Sequence, residues 1–326
     1  MKTTLFLLFI LLSHAASERC NPEDKNVLLQ IKKELNNPTI LSSWKPNTDC
    51  CHQSWYGVKC YNKRIGSLTI TDNNDLNSQI PPSISNLPFL HDLNFINLPN
   101  LTGPIPESIS KLTNLKLLTI SLTSISGPIP NFVAKLKNLI NLDLSFNNLS
   151  GALPPSLYKL PNLSGIFFNN NKLTGSIPPS YGSFNTNNLK VLLLSNNQLS
   201  GTLPVSLAKF NSSVRYLIDL SHNRFEGDAS MLFGSTKMAE YIDLSWNKFD
   251  FDIGKVELSK TLTTLDISHN QIYGNLPMGM ENLVGLNVSY NRLCGEIPKG
   301  GNLQSFDVYT YFHNKCLCGS PLPSCK

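Results

Sequence analysis

Charge is scarce in this chain. Asp, Glu, Lys and Arg make up 15% of its 326 residues, and the formal net charge is only +5. No run of Lys and Arg exceeds two, so the clustered cations of a nucleic-acid reader are missing and no nucleic-acid partner is expected. Beyond residue 12, no apolar stretch approaches the roughly 20 residues that a membrane-spanning helix needs. Residues 61–293 contain no cysteine, so most of the chain has to be held by burial alone, for which 41% apolar residues suffice.

The one long apolar run, Leu5–Leu12, follows Lys2 and precedes Ala15, Ala16 and Ser17. It is too short to span a bilayer and has the layout of a secretory leader, residues 1–17, with cleavage after Ser17. The mature protein is therefore expected to be secreted, soluble and without a membrane anchor. Its eight cysteines form two groups of four, Cys20, Cys50, Cys51, Cys60 and Cys294, Cys316, Cys318, Cys325. An even count in a secreted chain argues for disulfides over zinc thiolates. Four cysteines allow three pairings per group. Sequential pairing (20–50, 51–60, 294–316, 318–325) is preferred. Sequons at Asn100, Asn148, Asn162, Asn211 and Asn287 permit N-glycans. Asn287 is the least suited, because it falls on a strand of the expected binding face.

The cysteine-free middle is repetitive. The pattern LxxLxLxxNxLxGxLP recurs, with its second apolar position at Leu68, Leu93, Leu118, Leu142, Ile166, Leu192, Ile218, Ile242, Leu265 and Leu286. The spacing of 21–26 residues is that of a leucine-rich repeat, and ten such units imply a solenoid. LxLxx alternates as a strand does, one side inward and the other outward. Asn147, Asn171, Asn197, Asn223, Asn247, Asn270 and Asn291 follow at a fixed place, where an amide can pair backbone groups left open by an inward turn. The GxLP continuation turns the chain and excludes α-helix locally. The expected organisation is an N-terminal cap (18–64), ten repeats (65–298) and a C-terminal cap (299–326). Each repeat contacts only its neighbours, and the caps cover the ends. In the first cap, Asn21 and Pro22 open a helix whose apolar face is Val27, Leu28, Ile31 and Leu35. Trp44 and Trp55 are expected in the cap core.

Several stretches carry a family resemblance. CNPEDKNVLLQIKKELNNPTILSSW with DCCHQSWYGVKC resembles the N-terminal cap of plant extracellular leucine-rich repeat proteins. GDASMLFG, LCGEIPKGGNLQSFD and NKCLCGSPLPSC are similar to the polygalacturonase-inhibiting proteins. The resemblance covers essentially the whole chain. It implies an α/β solenoid, a right-handed superhelix of about ten plant-type repeats with a parallel concave sheet and a second short sheet. It further implies a secreted, monomeric cell-wall protein of plant defence. Such a protein binds fungal, and sometimes insect, endopolygalacturonases through the concave face, with no catalysis of its own and no cofactor. Some relatives are expected to anchor on cell-wall pectin through basic residues beside the Asn column. Here Asn196, His222, Trp246 and His269 stand there and are not strongly basic.

The outward positions supply candidate partner-binding residues. Asp143, Asp219, Asp243 and Asp266 occupy strand centres, with Phe167 and Leu193 interrupting the run. Phe146, Asn170, His222, Trp246, His269 and Tyr290 immediately precede the Asn column, and Tyr216 and Tyr241 lie at strand starts. Six aromatics assigned to a solvent face suggest an interaction site. The carboxylates would steer a basic partner, or simply hydrogen-bond along the sheet. A glycosidase reading of Asp219, His222, Asp243, Asp266 and His269 is disfavoured, since neighbouring strands on an open sheet offer no closed pocket. Ice binding would need a flat Thr or Asn ladder. A freestanding receptor partner is the third alternative.

Overall fold

The computed structural model describes residues 20–184, 188–209 and 214–326; the leader and the Asn211 sequon lie outside them. Ten strands, one per repeat, pair in parallel into a main sheet. They run from Arg64–Thr71 through Asp92–Gly103, Leu117–Pro128, Asn141–Asp143, Gly165–Phe167, Val191–Leu193, Tyr216–Asp219, Ala239–Asp243 and Thr264–Asp266 to Gly285–Asn287. The short strands Asn141–Asp143, Val191–Leu193, Thr264–Asp266 and Gly285–Asn287 bury the central apolar residue and leave the flanking residues half-exposed. Past the turn, short strands such as Asn148–Ala152, Lys172–Gly175, Gln198–Thr202 and Arg224–Gly227 pair into the second sheet. The chain returns through 3₁₀ turns such as Pro155–Lys159 and Pro179–Ser183. Among the described residues, Pro22–Glu34 is the α-helix, so the solenoid is mostly strand and 3₁₀ rather than evenly mixed α/β.

The Asn column carries the turn. Asn197 Nδ2 donates to the carbonyls of Phe168, Leu194 and Ser195, while its Oδ1 accepts from Leu173 N–H at 2.9 Å. Asn171, Asn223, Asn247, Asn270 and Asn291 repeat this arrangement. Thr123, which replaces Asn in its repeat, donates instead to Asn147 Oδ1. The column continues past the expected repeat limit, because Asn314 bonds the Val288 and Tyr311 carbonyls and accepts from Leu293 N–H.

The ends are closed as the sequence suggests. Asn21 Oδ1 caps the helix by accepting from the N–H groups of Glu23 and Asp24. Leu28, Ile31 and Leu35 are buried, whereas Val27 is only partly so. Asp24 is also buried. It receives two bonds from Arg64 at 2.9 and 2.8 Å and one from Ile65 N–H, tying the cap helix to the first strand. Trp44 and Trp55 stack in the cap core, 5.8 Å between ring centroids. Val58–Tyr61 pairs antiparallel with the first strand and so covers that open sheet edge. The disulfides are Cys20–Cys50, Cys51–Cys60, Cys294–Cys316 and Cys318–Cys325.

Replacing Asn197 with Ala removes three donated bonds and strands the Leu173 N–H. The substitution should destabilise the fold by about 2 kcal/mol, seen as a lower midpoint in urea denaturation; an unchanged midpoint would show that the column is not what holds the turns.

Candidate functional site

The geometry of each strand end decides what it shows to solvent. Asp219, Asp243, Asp266 and Asn287 are direct neighbours in register across four strands. Parallel strands lie about 4.8 Å apart, so three carboxylates stand side by side. Asp143 is not part of that row, because Phe167 and Leu193 hold the two strands between it and Asp219. One oxygen of each acid is structural: Asp219 Oδ1 accepts from Ser221 N–H at 3.0 Å and Ser221 Oγ at 2.7 Å. Asp243 and Asp266 accept likewise from the N–H groups of Ser245 and Ser268. Asp243 Oδ2 accepts a 3.3 Å bond from the Tyr241 hydroxyl, and Asp266 Oδ2 one from Asn287 Nδ2. The acids therefore hold the strand ends and present charge at the same time.

Partial burial pushes the Asp243 carboxyl above its ordinary range, against hydrogen bonds from Ser245, and the charges of Asp266 and Asp219 push it further. Burial, followed by the same carboxylates, keeps the Tyr241 hydroxyl protonated well above its usual range. Like charges in register on neighbouring strands are unfavourable, and an incoming cation would relieve them.

A second feature lies just before the Asn column. The residues there adopt left-handed backbone, from Asn97 at φ 53° through Phe146, Asn170, His222, Trp246, His269 and Tyr290 to His313 at φ 57°. This conformation costs a residue with a Cβ about 1–2 kcal/mol, and bulky rings are rare in it. Here the backbone ladder holds them: the N–H groups of His222, Trp246, His269 and Tyr290 each bond the next coil. The rings stack in consequence. Centroids are 5.3 Å apart for His222–Trp246, 3.7 Å for Trp246–His269, 4.1 Å for His269–Tyr290 and 4.2 Å for Tyr290–His313. Trp246 and Tyr290 remain half-exposed at 50% and 45%. Phe146 is equally exposed but stands apart from the stack, beyond Asn170 and Asn196.

Not every expected residue faces solvent. Tyr216 is fully buried. Its repeat has Arg215 where an inward leucine belongs, and an irregularity between Tyr216 and Leu217 pairs Tyr216 with buried Ala239. Its ring thus takes the missing leucine's place, and its hydroxyl bonds the Leu232 carbonyl. Tyr241 does face outward, half-buried, as does Phe167, whose ring lies over Gly165 so closely that a Cβ there would stand 2.5 Å from it. His313 extends the stack and was not expected, because its stretch reads as cap. The His313-Asn314 pair, 23 residues after Tyr290-Asn291, is the signal that marks it.

Of the sequons, Asn100 and Asn162 are exposed, Asn148 is half-buried beside Phe146, and Asn287 sits within the main sheet. Cys20, Cys51 and Cys60 lie close enough to share a metal, but all are in disulfides. Hollows of about 450 Å³ beside Lys116 and Lys190, and of about 260 Å³ beside Asp250 and Tyr273, include none of the acid row or the ring stack. No helix among the described residues is long and apolar enough to cross a membrane.

An open sheet with an acid row and an aromatic ridge, carried on stacked coils between disulfide-bonded caps, defines a leucine-rich repeat protein suited to binding a macromolecule rather than to catalysis. Comparison agrees. The leucine rich repeat N-terminal domain matches residues 21–61, and the leucine rich repeat matches residues 138–160, 188–210 and 261–283. A polygalacturonase inhibitor of Vitis vinifera is 62% identical over 95% of this chain and 92% of its own length. One of Pyrus communis is 60% identical over 99% and 97%. The crystal structure of a plant ice-binding protein superposes with a TM-score of 0.90 at 48% identity, covering 94% of this chain and 99% of that one. The chain belongs to the polygalacturonase-inhibitor family of leucine-rich repeat proteins, whose members are named as inhibitors of an enzyme.

The raised Asp243 pKa predicts a pH-dependent stability. The folded state holds that proton more tightly than the unfolded chain, so the contribution is full below the ordinary value of 3.8 and is lost as pH rises through the folded value. Asp243→Asn keeps an acceptor of the kind that Asn287 offers Ser289 two strands further on. At pH 7 it should stabilise the protein by about 0.5–1 kcal/mol, an advantage that shrinks toward pH 3.5 in thermal melts.

Proposed function

We propose that the protein is a secreted inhibitor in the plant cell wall that binds fungal endopolygalacturonases through the concave main sheet and so blocks pectin degradation, as part of plant defence. The observation that carries this reading is the pairing of full-length similarity to named inhibitors with the Asp219–Asp243–Asp266 row and the ring ridge beside it. Both features lie on the same C-terminal half of the sheet. The acids suit a basic rim around a cleft that handles an anionic polymer, and complementary charge speeds and orients docking. Half-exposed Trp246 and Tyr290 suit the role of anchors, since Trp and Tyr dominate binding energy at interfaces. A specific complex of this kind buries roughly 1,600 Å² in total, which is enough to cover or flank the entrance of a polysaccharide cleft. Asp143, Phe146, Phe167, Asn170 and Tyr241 would extend the contact toward the middle of the solenoid. Tyr216 drops out.

The likeness to an ice-binding structure favours a second reading. On the second sheet, Ser126, Ser150, Thr174 and Ser200 recur at one position, but Glu226 ends that hydroxyl column. Thermal hysteresis in the purified protein would support this reading over the first.

Inhibition assays against a panel of fungal endopolygalacturonases test the main reading. At least one enzyme should be inhibited, and Trp246→Ala and Asp219→Lys should each weaken that inhibition by roughly tenfold or more. Failure across the whole panel would sink the function, and unchanged inhibition in both variants would move the site elsewhere. The protein alone should not turn over pectin.

A further inference from the structure

The ring stack has a charge pattern that the acid row does not explain. Three of the six histidines in the chain, His222, His269 and His313, occupy alternate places in it, with Trp246 and Tyr290 between them. The rings are within 12–24° of parallel, so their faces cover one another and their edges are left for a partner. Those edges carry the imidazole and indole N–H groups and the phenol hydroxyl, mostly hydrogen-bond donors. Two residues further along the chain, Arg224, Lys248 and Arg292 on short strands past the turn and Lys315 just before Cys316–Cys318 are exposed, while Gln271 holds the place after His269 and accepts from Arg292 at 2.7 Å. The half-solenoid thus shows three parallel stripes: carboxylates, stacked rings and cations.

We propose that the ring ridge and the cationic stripe form the second half of the partner surface, which takes a carboxylate-bearing stretch of the bound endopolygalacturonase and gains protons as it does so. The proposal rests on the inhibitor reading and adds the chemistry of the contact and its control by pH. His269 lies between Trp246 and Tyr290, so its protonated ring would have an aromatic face on either side, a favourable place for a cation. In the free protein, desolvation holds the His269 pKa below its ordinary 6.5. Asp266 opposes this, while His222 and His313 lower it further. Of the remaining charged groups, Asp219 and Asp243 lie on the acid side, and Arg224, Lys248, Arg292 and Lys315 on the cationic side, where the carboxylate of Glu226 also stands, in register with Lys248. A partner carboxylate on the ridge would reverse that balance and raise the imidazole pKa values, and linkage then requires proton uptake on binding. A uronic-acid polymer suits the surface less well, because the acid row one stripe away repels it.

Calorimetry decides the matter. The full chain is titrated with an endopolygalacturonase that it inhibits, at pH 6 in two buffers of different ionisation enthalpy, beside the His222→Gln/His269→Gln/His313→Gln variant. Wild type should take up about one proton more than the variant. Its affinity should be roughly fivefold or more tighter at pH 5.5 than at pH 7.5, with the variant nearly flat. Asp243 is common to both proteins, so the difference between them isolates the ridge. Where the triple variant does not fold, His269→Gln alone should show a smaller loss of uptake. Tight binding with equal uptake in both proteins would overturn the proposal and leave the inhibitor reading intact. Absence of a complex with every enzyme would overturn both. Equal uptake drawn by oligogalacturonate alone would assign the ridge to a polysaccharide and also overturn the proposal.

Discussion

The Asn side chain that closes each inward turn is the interaction on which the rest depends. Each one from Asn147 on pairs carbonyls of its own coil and of the coil before it, and from Asn171 on each also accepts a backbone N–H from the preceding coil. A turn buried between stacked coils has no water to satisfy those groups, and each one left unpaired would cost about 1–3 kcal/mol. Because the same amide repeats from Asn147 to Asn314, every coil enters the second sheet at the same angle. The residue before it is driven into left-handed backbone each time. Ring stacking on the solvent side is therefore a by-product of a turn that the core requires.

The strand-centre acids show the same economy. Asp219, Asp243 and Asp266 each use one oxygen on the serine two residues ahead, which fastens the strand end, while the second oxygens of Asp243 and Asp266 accept from Tyr241 and Asn287. The row is thus fastened within and between strands by local hydrogen bonds while it still concentrates negative charge on the sheet. The Asp243 carboxyl is raised first by its burial and then, to a lesser extent, by the charges of Asp266 and Asp219 beside it. A fold that keeps such an arrangement on an exposed sheet is consistent with a cation arriving from outside.

Most of the architecture was legible in the sequence, because a solenoid repeats one local rule. The repeat spacing, the Asn column, the capped helix, the cap tryptophans and the sequential disulfides all stand in the structure as the sequence implies. What escaped reading were departures from the rule. Tyr216 enters the core because its neighbour Arg215 cannot, a substitution that simple strand alternation counted from Ile218 would have flagged. His313 was hidden by the boundary drawn at residue 298, although Asn314 continues the column. The ring stack itself needs the spatial spacing of coils, which no linear pattern reports. The cations that follow four of the five rings form a stripe only once the coils are stacked.

The account stands or falls on which face meets the enzyme. Hydrogen–deuterium exchange of the protein with and without an inhibited endopolygalacturonase measures this directly. Protection should concentrate on residues 216–222, 239–246, 264–269 and 285–290, the strands and turns that carry the acids and rings. Protection confined to the 3₁₀ turns on the opposite side, such as Pro155–Lys159 and Pro179–Ser183, would contradict it.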